Sequence, residues 1–265
     1  MTRVTRISIS PVKGFRLSHP HEVMLGPNGV EENRRFFLVD EAGQRLRSSC
    51  TAWPVRVQVG YDAGAELLSF RFPDGSVIDG DARGTGERIH STTGTIDVRG
   101  AVVPGAWEEP LSRLAGRPIR LARADRTGSG LNAPVTLISD GSLARLAREA
   151  GCEAIDARRF RMLFELEGCE PHEEDTWEGR RFAIGDAVIC VGGPVDRCAV
   201  TTRDPETGER DLATLRLLAD YRGRRESDGA VLFGVYARVE RPGRVRVGDS
   251  VAEGDESGSL HAQSA

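Results

Sequence analysis

Hydrophobic and polar positions alternate with a period of two through most of this chain, and fall at helical spacing in only a few places. Residues 3–12 alternate through Ile7 and Ile9 and run into Pro11-Val12-Lys13-Gly14, which predicts a strand leaving into a turn. Arg34 to Asp40 reads as a strand opened by two arginines and closed by the turn Glu41-Ala42-Gly43. Val55, Val57 and Val59, then Leu68, Phe70 and Phe72, predict further short strands, with hairpin chemistry at Pro73-Asp74-Gly75-Ser76. Residues 80–94 are polar and glycine-rich and read as a loop; no helix follows their glycines, so they carry no phosphate-loop meaning. Ile96 to Arg99 is another strand, and 107–115 a short helix stopped by Gly116 and Pro118.

Beyond the polar stretch 123–132, which reads as the passage between two domains, the pattern changes. Leu143, Leu146, Ala147 and Ala150 share one helical face over Ser142–Ala150, with Ser139 or Asp140 as cap and Gly151 as stop. Arg159-Phe160-Arg161 opens a predicted strand over 162–166. His172 to Asp175 reads as a solvated acidic turn, because consecutive residues do not converge on one ion. RFAIGDAVICV within 180–191 and VRVGDSV within 244–251 are two strand–GD–strand elements, which suggest a small closed barrel. Between them lie a predicted strand Arg197–Thr202, a tight turn at 204–208, a helix over 212–221 capped by Asp211, and a strand at 231–236.

Composition narrows the class. The 265 residues are 39% hydrophobic and 29% charged, enough for two modest domains. A net charge of −4 argues against nucleic acid as a stable partner. No apolar run approaches the ~20 residues that span a bilayer, and the alternating N-terminus is unlike a secretion signal. Cys50, Cys152, Cys169, Cys190 and Cys198 are odd in number with no CxxC pair. That argues against disulfide, zinc-ribbon and iron–sulfur frameworks and fits a reducing cytoplasm. Of 36 lysines and arginines, Lys13 alone is lysine. This reflects either a general bias towards arginine or a site that wants a compact ammonium.

The candidate chemistry centres on GGPVDRCAVTTRDPETGE, residues 192–209. Cys198 stands beside the fixed cation Arg197, with the hydroxyls of Thr201 and Thr202 just beyond. A neighbouring cation and donors aimed at the sulfur stabilise a thiolate, so Cys198 is a candidate reactive or metal-ligating thiol. The residues alone leave open the alternative of a small buried hydrophobe.

RCAVTT followed by DPETGE resembles the signature of the MOSC domain, and the wider chain is similar to its two-domain members, which include the amidoxime-reducing components and their bacterial relatives. The resemblance extends to PVK before Gly14, to the RF-aromatic-LV strand with Arg35 at its head, to Asn132-Ala133-Pro134, to the strand beginning at Arg161, to GCEPHEEDTW and to LFGVY with Tyr236. It implies that Cys198 binds molybdenum, and that Lys13, Arg35, Asn132, Arg161, Arg197 and Tyr236 contact the molybdenum cofactor (Mo-molybdopterin). Gly14 and Leu163 depart from the family's serine and asparagine, which bears on one polar contact each or on the shape of the substrate pocket.

The expected architecture is α+β and strand-dominated. An N-terminal β-rich domain covers 1–120, a MOSC β-barrel with a few helices covers 121–253, and 254–265 form a disordered tail. The resemblance implies an oxidoreductase that reduces the N–O bond of a small N-hydroxylated compound, and the cysteine usage places it in the cytoplasm. Electrons would come from a separate protein such as a ferredoxin, a flavodoxin or a cytochrome b5-like carrier, since no flavin, haem or iron–sulfur motif is visible. Two other functions stay open: a non-catalytic carrier of the cofactor, and a sulfur carrier holding a persulfide on Cys198.

Overall fold

The computed structural model describes residues 1–46, 51–93, 96–128 and 132–254. Cys50 and the tail 255–265 therefore lie outside the described residues. The first half contains β1 (Arg3–Ile7), β2 (Glu22–Gly26), β3 (Gly29–Val30), β4 (Phe36–Val39), β5 (Gln58–Asp62), β6 (Leu67–Arg71), β7 (Val77–Asp81), β8 (Arg88–Thr93), β9 (Ile96–Val102), α1 (Glu108–Ala115) and β10 (Arg120–Ala124). The second contains β11 (Val135–Ser139), α2 (Asp140–Ala150), β12 (Phe164–Glu167), β13 (Arg181–Ile184), β14 (Ala187–Arg197), α3 (Thr214–Arg222), β15 (Val231–Arg241), β16 (Gly243–Arg246) and β17 (Val251–Glu253). The α+β, strand-dominated class is what the alternation predicts.

A seven-stranded sheet in the order β1-β12-β11-β15-β14-β13-β17 curls until its ends meet, with an antiparallel bridge from Arg3 to Ser250. Closure leaves little open edge. Its interior holds Leu137, Phe164, Ile189 and Val235 together with Val4, Ile7, Val23 and Leu25. Strands from the first thirty residues thus pair with the second half: β1 joins the seven-stranded sheet beside β12, and β2 pairs with β16 in a separate three-stranded sheet. A second core lies in the intervening part of the chain. Phe15 meets Trp53 and Phe70 edge-on at 5.6 and 6.2 Å, and Val12, Phe36 and Trp107 complete it. Each such aromatic removed from water contributes about 1.5–3 kcal/mol.

α2 forms where its caps predict. The Ser139 side chain accepts from Ser142 N, and Gly151 turns left-handed at φ 66° to close the helix. The acidic turn at 172–175 is not simply solvated: Glu174 is buried and takes hydrogen bonds from Ser139 N and from the hydroxyls of Ser139 and Ser142. The carboxylate thus sits at the positive end of α2, which explains its depth. Asp175 pairs with Arg222 at 2.5 Å.

Four local expectations give way. Residues 80–94 are not one loop, because 77–81 and 88–93 are strands; the β-branched Ile89, Thr92 and Thr93 suit β8, which pairs with β9. Residues 53–56 form a 3-10 turn before β5. Asp211 does not cap α3, which starts at Thr214, because its carboxylate is engaged by Arg159. Finally, the chain turns in a short 3-10 segment, Ala157–Phe160, and the strand that follows begins only at Phe164.

Candidate functional site

β14 brings Cys198 to the site and then stops. The strand pairs with β15 through Arg197 opposite Val231, and the next residues, Ala199–Thr202, form a 3-10 turn instead of continuing the predicted strand. Cys198 is the extended residue before that turn and is exposed. The two threonines do not aim at its sulfur. Thr201 Oγ1 donates to the Cys198 carbonyl at 3.1 Å and meets Thr214 Oγ1 at 2.8 Å, while Thr202 Oγ1 donates to the Ala199 carbonyl at 2.8 Å. They hold the backbone on which the thiol is presented.

Arg197 lies in the wall behind the thiol. Its guanidinium stands 5.2 Å over the Phe160 ring, donates to the Phe160 carbonyl at 2.5 Å and reaches Met162 Sδ at 3.3 Å. Burial pushes it down to about 10, and Cys198 and Tyr236 push the other way. Arg161 adopts the left-handed φ of 53° and donates to the Phe15 carbonyl at 2.6 Å, so an arginine of the second half clasps the first. Burial, then Arg34, lowers it to about 9. Both guanidiniums stay charged at neutral pH.

Lys13 follows Val12, which bridges to Phe36, and its amide donates to the Phe36 carbonyl at 2.9 Å. Burial is the main reason its ammonium falls to about 7. Arg45, Arg34 and Arg161 push it down further, whereas Cys198 pulls it up. Tyr236 lies on β15 opposite Thr136, and its hydroxyl is raised by burial and lowered by Arg197. Asn132 hydrogen-bonds Tyr236. The structure therefore brings Lys13, Arg161, Arg197, Cys198 and Tyr236 into one electrostatic neighbourhood, with Asn132 attached through Tyr236.

Arg35 is not brought there. Its Nε sits 3.4 Å from Glu31, and its Nη1 reaches the Asp125 carbonyl at 3.5 Å. Arg34 stands in the cluster instead, donating to the Arg161 carbonyl at 3.2 Å, with burial lowering it to about 10. The cause is local: Arg34 has φ 54°, and one left-handed residue breaks the alternation that would have sent Arg35 inward. The Arg-Arg pair was the only available signal. Arg45 also acts on Lys13 and was not foreseen. Leu163 is buried in the barrel core.

The donors fit a ligand that is both anionic and thiophilic. Among the described residues, Arg197 Nε and Arg45 Nη1 are buried with no hydrogen-bond partner, a costly state that an anionic acceptor would relieve. An accessible thiol at the edge of four converging cations adds a soft donor for a metal.

Residues 124–252 match the family model described as "MOSC domain". Over 254 residues, 91% of the chain, it is 27% identical to a molybdenum cofactor sulfurase of Caenorhabditis briggsae, covering 34% of that protein. Over 124 residues, 44% of the chain, it is 37% identical to mitochondrial amidoxime reducing component 2 of Rattus norvegicus, covering 36% of it. The chain thus spans about a third of the length of these curated relatives. The YuaD protein from Bacillus subtilis superposes over 95% of this chain and 94% of its own, with a TM-score of 0.43 and 14% identity.

Proposed function

The chain carries a MOSC domain over residues 124–252, and from that premise we propose that it holds a molybdenum cofactor and reduces N-oxygenated compounds. The observation that carries this reading is the exposed Cys198 thiol set among Lys13, Arg34, Arg161 and Arg197. These cations come from both halves of the chain, so a ligand that engages them all ties the halves together.

Each residue has a physical task. Cys198 would offer its sulfur, a soft donor of the kind that molybdenum accepts. Lys13, Arg34, Arg161 and Arg197 neutralise the cofactor's phosphate, with the buried Arg197 Nε available as a donor. Tyr236 and Asn132 supply a polar edge beside Arg197. Thr201 and Thr202 fix the turn, so the sulfur is presented without backbone rearrangement. When bound, the cofactor supplies two-electron chemistry that converts an N–O bond to an amine or amidine with release of water. Electrons come from a separate carrier of the ferredoxin, flavodoxin or cytochrome b5 type, and the setting is the cytoplasm. Among the described residues no helix is long and apolar enough to cross a membrane.

The alignment with a sulfurase over most of the chain favours a second reading, in which Cys198 carries sulfur as a persulfide or the protein hands the cofactor on. One experiment separates them: metal analysis of protein from a host that makes the cofactor, with Cys198→Ala alongside. Near-stoichiometric molybdenum that is lost in the variant, followed by turnover of an N-hydroxylated substrate with a supplied reductant, supports the reductase. Bound molybdenum without turnover points to the carrier. No molybdenum sinks the reductase and the cofactor carrier alike, and a persulfide on Cys198 in the mass spectrum then identifies a sulfur carrier.

A further inference from the structure

A groove outside the thiol cluster holds two arginines paired with one carboxylate of the chain. Its middle part is a cavity of about 290 Å³ whose lining includes Arg16, His19, Gln58, Arg158, Arg161 and Glu206. It continues on one side into a cavity of about 470 Å³ through the shared His19 and Arg158, and on the other into one of about 300 Å³ through Arg16, Gln58 and Glu206. Arg161 lines this groove and also acts on Lys13 in the cluster around Cys198, so the groove and the thiol cluster meet at that one side chain.

Two arginines in the groove converge on one carboxylate. Glu206 accepts from Arg16 Nη2 and from Arg158 Nη1, and Arg16 and Arg158 come from opposite halves of the chain. A carboxylate between two guanidiniums is the arrangement by which proteins recognise carboxylate and phosphate groups. Here the acceptor belongs to the chain itself, on a turn that begins six residues after Cys198.

The seat does not depend on Glu206 for its shape. Arg158 is gripped from behind by Asp156 through contacts of 2.7 and 3.0 Å, and Arg16 Nε donates to the Val55 carbonyl at 3.3 Å. Glu206 is held less firmly. Its side chain is 45% exposed at the tip of the turn, while the base of that turn is fixed separately by Asp204, which accepts from the amides of Glu206 and Thr207. Half-exposed ion pairs of this kind contribute little net free energy. The carboxylate is therefore the part that can leave, and two oriented cations remain when it does.

We propose that this seat selects the substrate's charge: compounds reaching the Cys198 site through the groove carry a carboxylate or phosphate that displaces Glu206 from Arg16 and Arg158. The substrate is then an N-oxygenated acid or phosphate rather than a neutral amidoxime. This deepens the reductase reading and rests on it for the word substrate; the anion seat stands on the groove alone.

The test compares benzamidoxime with its 4-carboxylate by calorimetric titration into the full chain, purified from a cofactor-making host. The carboxylate is expected to bind about tenfold more tightly, the worth of one charge-assisted pair. Glu206→Gln, which keeps the side-chain shape and removes the competing charge, should widen that preference. Arg16→Gln and Arg158→Gln, each checked for unchanged thermal unfolding, should abolish it. Equal binding of the two compounds by the parent and by Glu206→Gln overturns the proposal, as does a preference that survives both arginine changes. A Glu206→Gln protein that unfolds earlier with no change in preference also overturns it, and leaves Glu206 as a tie between the halves. Because titration needs no turnover, a protein that prefers the carboxylate but neither binds molybdenum nor reduces it would fail the reductase reading alone. To separate the two anion sources, 4-phosphonobenzamidoxime is titrated beside the carboxylate, and the tighter ligand names the group that the seat fits.

Discussion

Arg197 lies over the ring of Phe160 and donates to the same residue's carbonyl, at 5.2 Å and 2.5 Å respectively. One side chain thereby joins the end of β14, where Cys198 follows, to the 3-10 turn that precedes Arg161. A planar guanidinium meets both demands at once; an ammonium on a flexible stem meets one at a time. Arg197→Lys is therefore expected to keep the charge and lose the geometry. Cofactor or phosphate binding should weaken by about tenfold, for one lost charge-assisted hydrogen bond. Calorimetry with inorganic pyrophosphate, beside thermal unfolding, checks this, and unchanged affinity would remove Arg197 from the site.

Lys13 has a pH signature. Its folded value of about 7 lies below its ordinary 10.5 because burial and neighbouring arginines disfavour the charge. Between those values the unfolded state binds the extra proton, so Lys13's contribution to stability is least below pH 7 and rises towards pH 10.5. Lys13→Met should accordingly raise the melting temperature of the cofactor-free protein at pH 6, by an amount worth about 1–3 kcal/mol, since a buried and poorly paired charge is removed. The same change should weaken pyrophosphate binding. In the parent, pyrophosphate affinity should fall as pH rises past 7 and Lys13 loses its proton. A melting-temperature series with and without the anion at pH 6 and pH 9 reads both effects. A variant that is less stable and binds as well as the parent would contradict the assignment.

Glu174 tests the helix that backs the barrel. Buried beneath α2, it takes hydrogen bonds at 2.7 Å from both Ser139 Oγ and Ser142 Oγ, and burial raises its carboxyl above the usual range. An acid with a raised folded value holds its proton more firmly when folded, so its contribution to stability is lost as pH rises through that value. Glu174→Ala leaves two serine hydroxyls and the Ser139 amide short of an acceptor, and should cost about 1–3 kcal/mol. Glu174→Gln keeps an acceptor and should cost less while flattening the pH dependence. Chemical denaturation at pH 5 and pH 8 measures both variants; equal losses for Ala and Gln would mean that shape, not hydrogen bonding, matters there.

Elements with strong local signals were legible in the sequence. α2 declared itself by its apolar face, Ser139 and Gly151, and the paired GD turns announced the barrel by repetition. What needed three dimensions was hidden. β8 carries β-branched Ile89, Thr92 and Thr93 but lies in a polar, glycine-rich stretch without apolar alternation, and its pairing with β9 is what the sequence pattern hides. Arg34 and Arg35 are indistinguishable until one left-handed residue decides which faces Cys198. The threonines after Cys198 looked like donors to sulfur, but their partners are carbonyls exposed by the 3-10 turn, which periodicity did not foretell. The first strand's place in the later sheet is a pairing over about 160 residues, beyond any local pattern.

Gly208 closes the turn that carries Glu206, and it does so in a conformation and a space that only glycine tolerates. Its φ is 77°, and a Cβ there would fall 2.1 Å from the Ala52 carbonyl oxygen of the other half. Its amide donates to the Asp204 carbonyl at 2.9 Å, and Arg203 donates to its carbonyl at 2.7 Å, so the turn has no slack to absorb a methyl group. Gly208→Ala should therefore cost about 1–3 kcal/mol from backbone strain alone, and in addition lift the turn from Ala52. The expected consequence reaches the thiol, because the same short segment runs from Cys198 through the 3-10 turn to Gly208. Thermal unfolding reads the stability loss, and the alkylation rate of Cys198 reads the change in its exposure. Hydrogen exchange at the amides of Glu206 and Thr207, both now held by Asp204, should quicken; a variant that melts like the parent with these amides still protected would show that the turn does not rest on Ala52.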